Sequence, residues 1–245
     1  MKPEIRELLR WLARHVLYVA IMLTTYGAVR LDARAGDTPR PPADRHGRLL
    51  PETPAARLAR LGEIGKFNED GVVEALELAM LLSIVLTCGA LAVGHPEVRA
   101  VALLFGGWLG LAAIREQDQW FDQIFHGAWM VPAGLVAAGM AVYAWKARCG
   151  ICRGLVAFVR TPGWGFFVSG GLMALVFARL MGKKALWYHL VDSPRLARNL
   201  KNMVEEGIET AGYALLLCGL VEALAGLRRR IRETRAAQAS AERAK

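Results

Sequence analysis

The sequence predicts an all-α membrane protein, a polytopic helical bundle with about six transmembrane helices. Apolar residues make up 54% of the 245-residue chain, and they fall in long blocks that carry few charges. A helix needs about 20 predominantly apolar residues to cross the roughly 30 Å hydrocarbon core of a bilayer. A soluble helical bundle is the alternative. It is disfavoured because successive helices of this composition would present no polar face to water.

Each predicted span follows from one apolar block. The six spans are residues 12–31, 71–94, 98–115, 121–145, 161–181 and 203–227. No small-residue cleavage site follows the first span, so we expect it to be retained rather than removed as a signal peptide. Residues 32–69 hold five of the ten prolines and are predicted to form an extended loop. Residues 228–245 are a basic C-terminal tail, and residues 1–245 are interpreted as a single membrane domain.

Basic residues predict the orientation of the chain. An even number of spans places both termini and the connection 146–160 on one side. That connection carries Lys146, Arg148, Arg153 and Arg160 and no acidic residue. Lys and Arg are almost equal in number on the two sides, 16 against 15, so the acid-free segment 146–160 and the Arg-rich tail decide the orientation. Because Lys and Arg concentrate on the cytoplasmic side of membrane proteins, we expect both termini in the cytoplasm. The lipid bilayer is the expected partner, with anionic headgroups at the basic tail, and no nucleic-acid partner is expected.

Acidic residues are distributed unevenly between the two sides. Six of the 22 fall on the side of the termini, and sixteen fall on the opposite side. Acidic residues do little to set orientation, so this asymmetry is evidence about function. They gather at the ends of the predicted spans in four clusters, residues 68–77, 115–118, 122–126 and 202–209.

The deepest of these residues predict a metal site. Ionisable side chains within a membrane are costly and mark either a function or a paired network. Asp122 and His126, one helical turn apart, resemble the mixed carboxylate and imidazole pairs of metal-binding bundles. The expected ligands of a divalent metal are Glu74, Glu77, Asp122, His126 and Glu209. Glu116 is the candidate catalytic base, and the surrounding residues are Arg115, Asp118, Asn202, Glu205 and Glu206. Carboxylates with one imidazole suit zinc, manganese or iron, and an all-oxygen set suits calcium or magnesium.

Two other interpretations of the acidic clusters stay open. The acids could form a structural network with cations on the same side, which are Arg115, Arg179, Lys183, Lys184, Arg195, Arg198 and Lys201. They could also lie at the membrane interface without a specific role, where acids in a first turn favour the helix N-terminus.

The cysteines predict no disulfide framework. Cys88 and Cys218 lie inside apolar blocks, and Cys149 and Cys152 form an isolated C-x-x-C pair. One such pair is weak evidence for zinc, because a structural zinc site needs four ligands.

Two stretches carry a resemblance to a known family. Gly182-Lys-Lys-Ala-Leu-Trp187 and Lys201-Asn-Met-Val-Glu-Glu-Gly-Ile-Glu-Thr-Ala-Gly-Tyr213 resemble a family of bacterial inner-membrane proteins. The resemblance implies the bacterial inner membrane as location and implies no activity. In layout alone, the chain is similar to the alkaline ceramidase and adiponectin-receptor superfamily, whose membrane bundles hold zinc for hydrolysis. That pattern needs a histidine pair in the last span, which residues 203–227 lack.

The functional hypotheses follow from the one-sided acids. The first is a membrane-embedded metal site open to the outer face, where metal activates water for hydrolysis of a lipid-like substrate. The alternative is a non-enzymatic carrier linked to an ion or proton, or a structural or assembly subunit of the inner membrane. A path for ions or protons should have acidic residues that continue to the other face of the membrane. Only Glu222 lies near that end of the last span, so a one-sided site is favoured over a path through the membrane.

Thiol labelling tests the orientation. We expect Cys149 and Cys152 to resist a membrane-impermeant maleimide in intact cells and to react after permeabilisation, because their segment is predicted to be cytoplasmic. The control is a His46→Cys variant, whose new thiol should react in intact cells. Labelling of Cys149 or Cys152 in intact cells would show that the orientation is the opposite of the predicted one.

Overall fold

Helices dominate the part of the chain that the structure describes. The computed structural model describes residues 3–35, 51, 53, 54, 56, 71–191 and 193–243, and within these ranges no strand occurs. The all-α prediction is therefore confirmed. Most of the predicted loop 32–69 lies outside the described residues, as does Asp70, although residues 32–35 continue the first helix.

The helices follow one another with short connections. They are α1 (Pro3–Ala35), α2 (Val72–Gly94), α3 (Arg99–Arg115), α4 (Asp118–Asp122), α5 (Met130–Val159), α6 (Trp164–Leu172), a π-helical turn (Met173–Phe177), α7 (Ala178–Met181), α8 (Lys184–Leu190) and α9 (Pro194–Arg243). The π-helical turn joins α6 to α7 without a break in the helical path. At 1.5 Å per residue, the 50 residues of α9 extend over roughly 75 Å.

Five helical segments in the described residues are long and apolar enough to cross a membrane. They are Leu12–Leu31, Val72–Gly94, Met130–Val159, Trp164–Met181 and Leu196–Glu233. The remaining predicted span, residues 98–115, forms α3, which has 17 residues. Its length of roughly 26 Å is short of the hydrocarbon thickness. Length and composition thus support five spans, and the count of six stays a prediction.

The fourth predicted span is displaced along the chain. The sequence predicts residues 121–145, whereas α5 covers Met130–Val159. Gly127 adopts a φ of 82°, a left-handed conformation that glycine enters readily and that ends a helical path. The basic segment 146–160, predicted as a loop, continues α5 as far as Val159 because neither Pro nor a left-handed residue interrupts it.

The chain divides into two compact units. The first comprises Met1–Leu76 and Gly171–Ala214, and the second comprises Glu77–Gly170 and Leu215–Lys245. In the first unit, Ala28 of α1 and Val73 of α2 form a buried core, with Val29, Leu76 and Met203 packed against it.

The second unit is held by helix packing and aromatic contacts. α3 packs against α5. Four rings, those of Phe105, Phe158, Trp164 and Phe167, form tilted, edge-on and stacked pairs with centroids 4.6–6.4 Å apart. Such pairs contribute about 0.5–1.5 kcal/mol beyond the burial of their area.

A close backbone approach also determines this packing. A Cβ atom added at Gly219 of α9 would lie 2.7 Å from the backbone nitrogen of Phe167 and 2.9 Å from the carbonyl oxygen of Gly163. Both neighbours are backbone atoms, which cannot move as the end of a flexible side chain can. Glycine at this position therefore allows the start of α6 to lie directly against α9.

Substitution at Gly219 tests this contact. We expect Gly219→Ala to destabilise the protein by about 1–3 kcal/mol, the usual cost of overpacking. Gly139→Ala is the matched control, because a Cβ at Gly139 meets no atom within 4 Å and alanine is the better helix former. Thermal melting of both variants in detergent measures the difference. Equal melting temperatures would show that the helices can separate at no cost.

Candidate functional site

A cluster of ion pairs joins α7 to α9 in the first unit. The guanidinium of Arg179 donates from Nη1 to Glu205 Oε1 and from Nη2 to Glu209 Oε1, each at 3.2 Å. Lys201 Nζ lies 2.6 Å from Glu205 Oε2. The hydroxyl of Tyr213 donates to Glu209 Oε1 at 2.9 Å. These five residues are called the Arg179 network below.

The spacing of residues on α9 explains one side of the network. Lys201, Glu205, Glu209 and Tyr213 follow one another in steps of four. Residues four apart on an α-helix lie on the same face with Cβ atoms about 5–6 Å apart. The sequence of α9 thus presents one cation, two carboxylates and one phenol in a row along a single face.

The other side of the network comes from the segment around α7. The π-helical turn Met173–Phe177 precedes Arg179 and changes the direction in which the following side chains leave the helix. Such turns are frequent at functional sites. Gly182 ends the segment, and a Cβ there would lie 2.5 Å from the carboxyl carbon of Glu205. A glycine at this position therefore leaves room for the carboxylate.

Burial makes the ion pairs of the Arg179 network important for stability. Glu209 is only 7% exposed and Tyr213 is fully buried, whereas the side chain of Arg179 is 42% exposed. Two carboxylates this close together repel each other unless positive charge lies near them. Arg179 and Lys201 supply two positive charges for the two carboxylates, so the network is balanced without further groups.

A second polar pair lies in the second unit, between α4 and α5. His126 Nδ1 and Asp122 Oδ2 lie 3.0 Å apart, and the backbone N–H of Gly127 donates to Asp122 Oδ1 at 2.7 Å. The hydrogen bond from the Gly127 N–H lowers the pKa of Asp122, and His126 lowers this pKa by a smaller amount. Loss of water around the carboxyl acts in the opposite direction but is outweighed. Gly127 interrupts the helical path between this pair and α5, and the His126 side chain is 97% exposed. The location of the pair on a membrane span stays a prediction.

The remaining predicted residues are divided between the two units. In the first unit, Glu74 lies half-buried in the first turn of α2, and Asn202 and Glu206 lie half-buried on α9. Asn202 Oδ1 accepts a hydrogen bond from Lys201 Nζ at 3.2 Å.

In the second unit, burial varies widely among the predicted residues. Glu77 is 4% exposed, and Glu116 is half-buried just after α3. Arg115 and Asp118 are exposed on either side of Glu116.

A protein site for a divalent metal such as zinc needs at least three donors close together. Within the ranges that the structure describes, no three His, Cys, Asp or Glu side chains form such a group. The ligand set of Glu74, Glu77, Asp122, His126 and Glu209 therefore stays a prediction from sequence. Glu209 and the neighbouring Glu205, for their part, are engaged by cations.

The sequence indicated the acids of the network and offered Arg179 and Lys201 only among seven candidate cations, and it assigned no role to the phenol of Tyr213. The steps of four from Lys201 to Tyr213 were a usable signal, because they place all four residues on one helix face. Nothing in the sequence indicated which cation would come from another helix.

Substitution of Arg179 tests the network. Breaking a fully buried ion pair costs about 3–5 kcal/mol, and the half-exposure of Arg179 reduces the expected loss for Arg179→Gln to roughly 1–3 kcal/mol. Glu209→Gln in the same chain should recover part of that loss, because it removes the buried charge left behind. Arg198→Gln, on an exposed part of α9, is the control and should melt like the wild type. A double-mutant cycle with no coupling between Arg179 and Glu209 would contradict the network.

Comparison with known proteins does not add an assignment. The chain matches no protein-family model, no curated protein and no solved structure. The resemblance to bacterial inner-membrane proteins stays an expectation from the sequence.

Proposed function

We propose that the chain is a multi-pass protein of the bacterial inner membrane with a non-enzymatic, structural or assembly role. One observation carries this proposal: Arg179 bridges Glu205 and Glu209, and Lys201 completes the charge balance. Glu209, a predicted metal ligand, and the neighbouring Glu205 thus join α9 to α7.

Exposed apolar side chains support insertion into a bilayer. Val93 of α2 is 81% exposed, and Leu135 and Trp145 of α5 are exposed to a similar degree. Soluble monomers rarely expose large contiguous apolar surfaces. In a bilayer these side chains would contact acyl chains. The five long apolar helices are long enough to cross the hydrocarbon core of a bilayer.

Basic residues support a cytoplasmic location for the end of α5. Arg230 Nη2 donates to the carbonyl oxygen of Arg160, which caps α5, at 2.8 Å. The exposed arginines beside this contact are Arg228, Arg229, Arg230 and Arg232. Each such residue contributes about 1 kcal/mol of attraction to an anionic membrane surface. We therefore retain anionic lipid headgroups as partners of this region.

Electrostatics disfavours a divalent metal in the Arg179 network. Two unit charges 4 Å apart interact by about 4 kcal/mol at an effective dielectric constant of 20, and a divalent ion doubles that figure. A metal bound to Glu205 or Glu209 would lie close to both Arg179 and Lys201. It would have to displace these cations, which already satisfy the carboxylates.

A proton-linked carrier is the second candidate function. It is favoured by Glu209, a buried carboxylate whose Oε1 accepts hydrogen bonds from both Tyr213 and Arg179. Buried ionisable groups of this kind mark proton relays in many transporters.

Metal analysis and melting separate these functions. Purified protein should carry far less than one divalent metal ion per chain, and a chelator of divalent metals should leave its melting temperature unchanged. Proteoliposomes with an internal pH dye should show no proton uptake, and uptake abolished by Glu209→Gln would support the carrier. Near-stoichiometric metal, lost together with thermal stability in His126→Ala and Glu209→Gln, would contradict the proposal and support the metal-site hypothesis.

A further inference from the structure

Two thiols on α5 lie outside the network described above. Cys149 and Cys152 are both free and exposed, whereas Cys88 and Cys218 are free and buried. A spacing of three residues on a helix puts Cys149 and Cys152 on the same face, with Cβ atoms about 5–6 Å apart. Their sulfur atoms are therefore available together to one ligand from solvent.

The position of this pair along α5 places it beyond the apolar part of the helix. The 30 residues of α5 extend over roughly 45 Å, more than the roughly 30 Å of hydrocarbon that a span must cross. Residues 130–145 carry no charge, and Lys146, Arg148 and Arg153 follow them. On the membrane insertion proposed above, the two thiols lie at the headgroups or in water.

The surroundings of the pair are positive. Residues 130–160 contain no Asp or Glu. Arg148 precedes Cys149 directly, and its guanidinium lies 5.4 Å from the centre of the Trp145 ring in a cation–π contact. An anionic complex at the two sulfurs would be stabilised by these charges.

We infer that Cys149 and Cys152 form a two-thiolate site for a soft monovalent cation, with Cu(I) as the representative ion. Thiolates select such soft ions over harder ones. Binding releases two protons, since Cu⁺ and two thiols give a bis-thiolate complex of charge −1 and two H⁺, with no change of oxidation state. A structural zinc site would need further ligands, and the part of the chain that the structure describes has no group of three suitable donors.

Helical geometry is compatible with this ligation. Metal–thiolate bonds of about 2.3 Å, the length found for zinc, place two sulfurs about 4.6 Å apart in a linear complex. That separation is slightly below the Cβ separation of residues three apart on a helix. Rotation about χ1 of both cysteines is enough to reach it, and α5 need not unwind.

A competition titration with Cu(I) tests the site. The reduced full-length protein in detergent is titrated anaerobically against the coloured Cu(I) complex of bathocuproine disulfonate. We expect one Cu(I) per wild-type chain. Cys149→Ser and Cys152→Ser should each lower the affinity at least tenfold, because a single thiolate replaces a chelating pair. Cys88→Ser and Cys218→Ser are the matched controls and should bind Cu(I) like the wild type.

A trivalent arsenical gives an independent measure of the pair. Phenylarsine oxide condenses with two thiols to a dithioarsenite and releases water. It should therefore protect Cys149 and Cys152 from maleimide in the wild type. In each single variant the remaining thiol should not be protected. Copper uptake that persists in Cys149→Ser/Cys152→Ser would overturn the site. Absence of uptake by the wild type would also overturn it, even if the arsenical binds. Neither result depends on the role of the Arg179 network.

Discussion

The double ion pair of Arg179 is the interaction on which the candidate site of this protein depends. Glu205 and Glu209 lie one turn apart on α9, and their charges repel in surroundings that are largely shielded from water. A single guanidinium placed between them removes this repulsion and satisfies one oxygen of each carboxylate. Its planar fork is suited to this task, because one side chain can donate to two acceptors from separate nitrogens. An ammonium group at the same place would act as a single point charge.

Several unrelated features of the chain are needed for that one contact. The steps of four on α9 align Lys201 with both carboxylates, and the π-helical turn before α7 alters the direction of Arg179. Gly182 then leaves space for the carboxylate of Glu205.

The sequence predicted the fold class and most apolar helices, but it predicted the site only in part. Long apolar blocks determine helices through composition alone, so α2 and the segment Trp164–Met181 lie close to their predicted bounds. The break at Gly127 depends on a backbone conformation that the periodicity of apolar residues does not report. The partner of Glu209 depends on which cation outside α9 comes close to it, and that is a tertiary contact rather than a sequence pattern.

The charge balance of the Arg179 network also indicates which side chains of this protein can bind a ligand without losing a partner. Inside the Arg179 network the carboxylates already have partners, so an added ligand must displace a cation before it gains any contact. On the exposed surfaces no such displacement is required. His126 is almost fully exposed while Asp122 holds one of its ring nitrogens, and the thiols of Cys149 and Cys152 face solvent. Binding at these places removes water and, at the thiols, two protons, but it displaces no cation of the protein. The exposed groups of the second unit are therefore more available to ligands than the buried acids of the first.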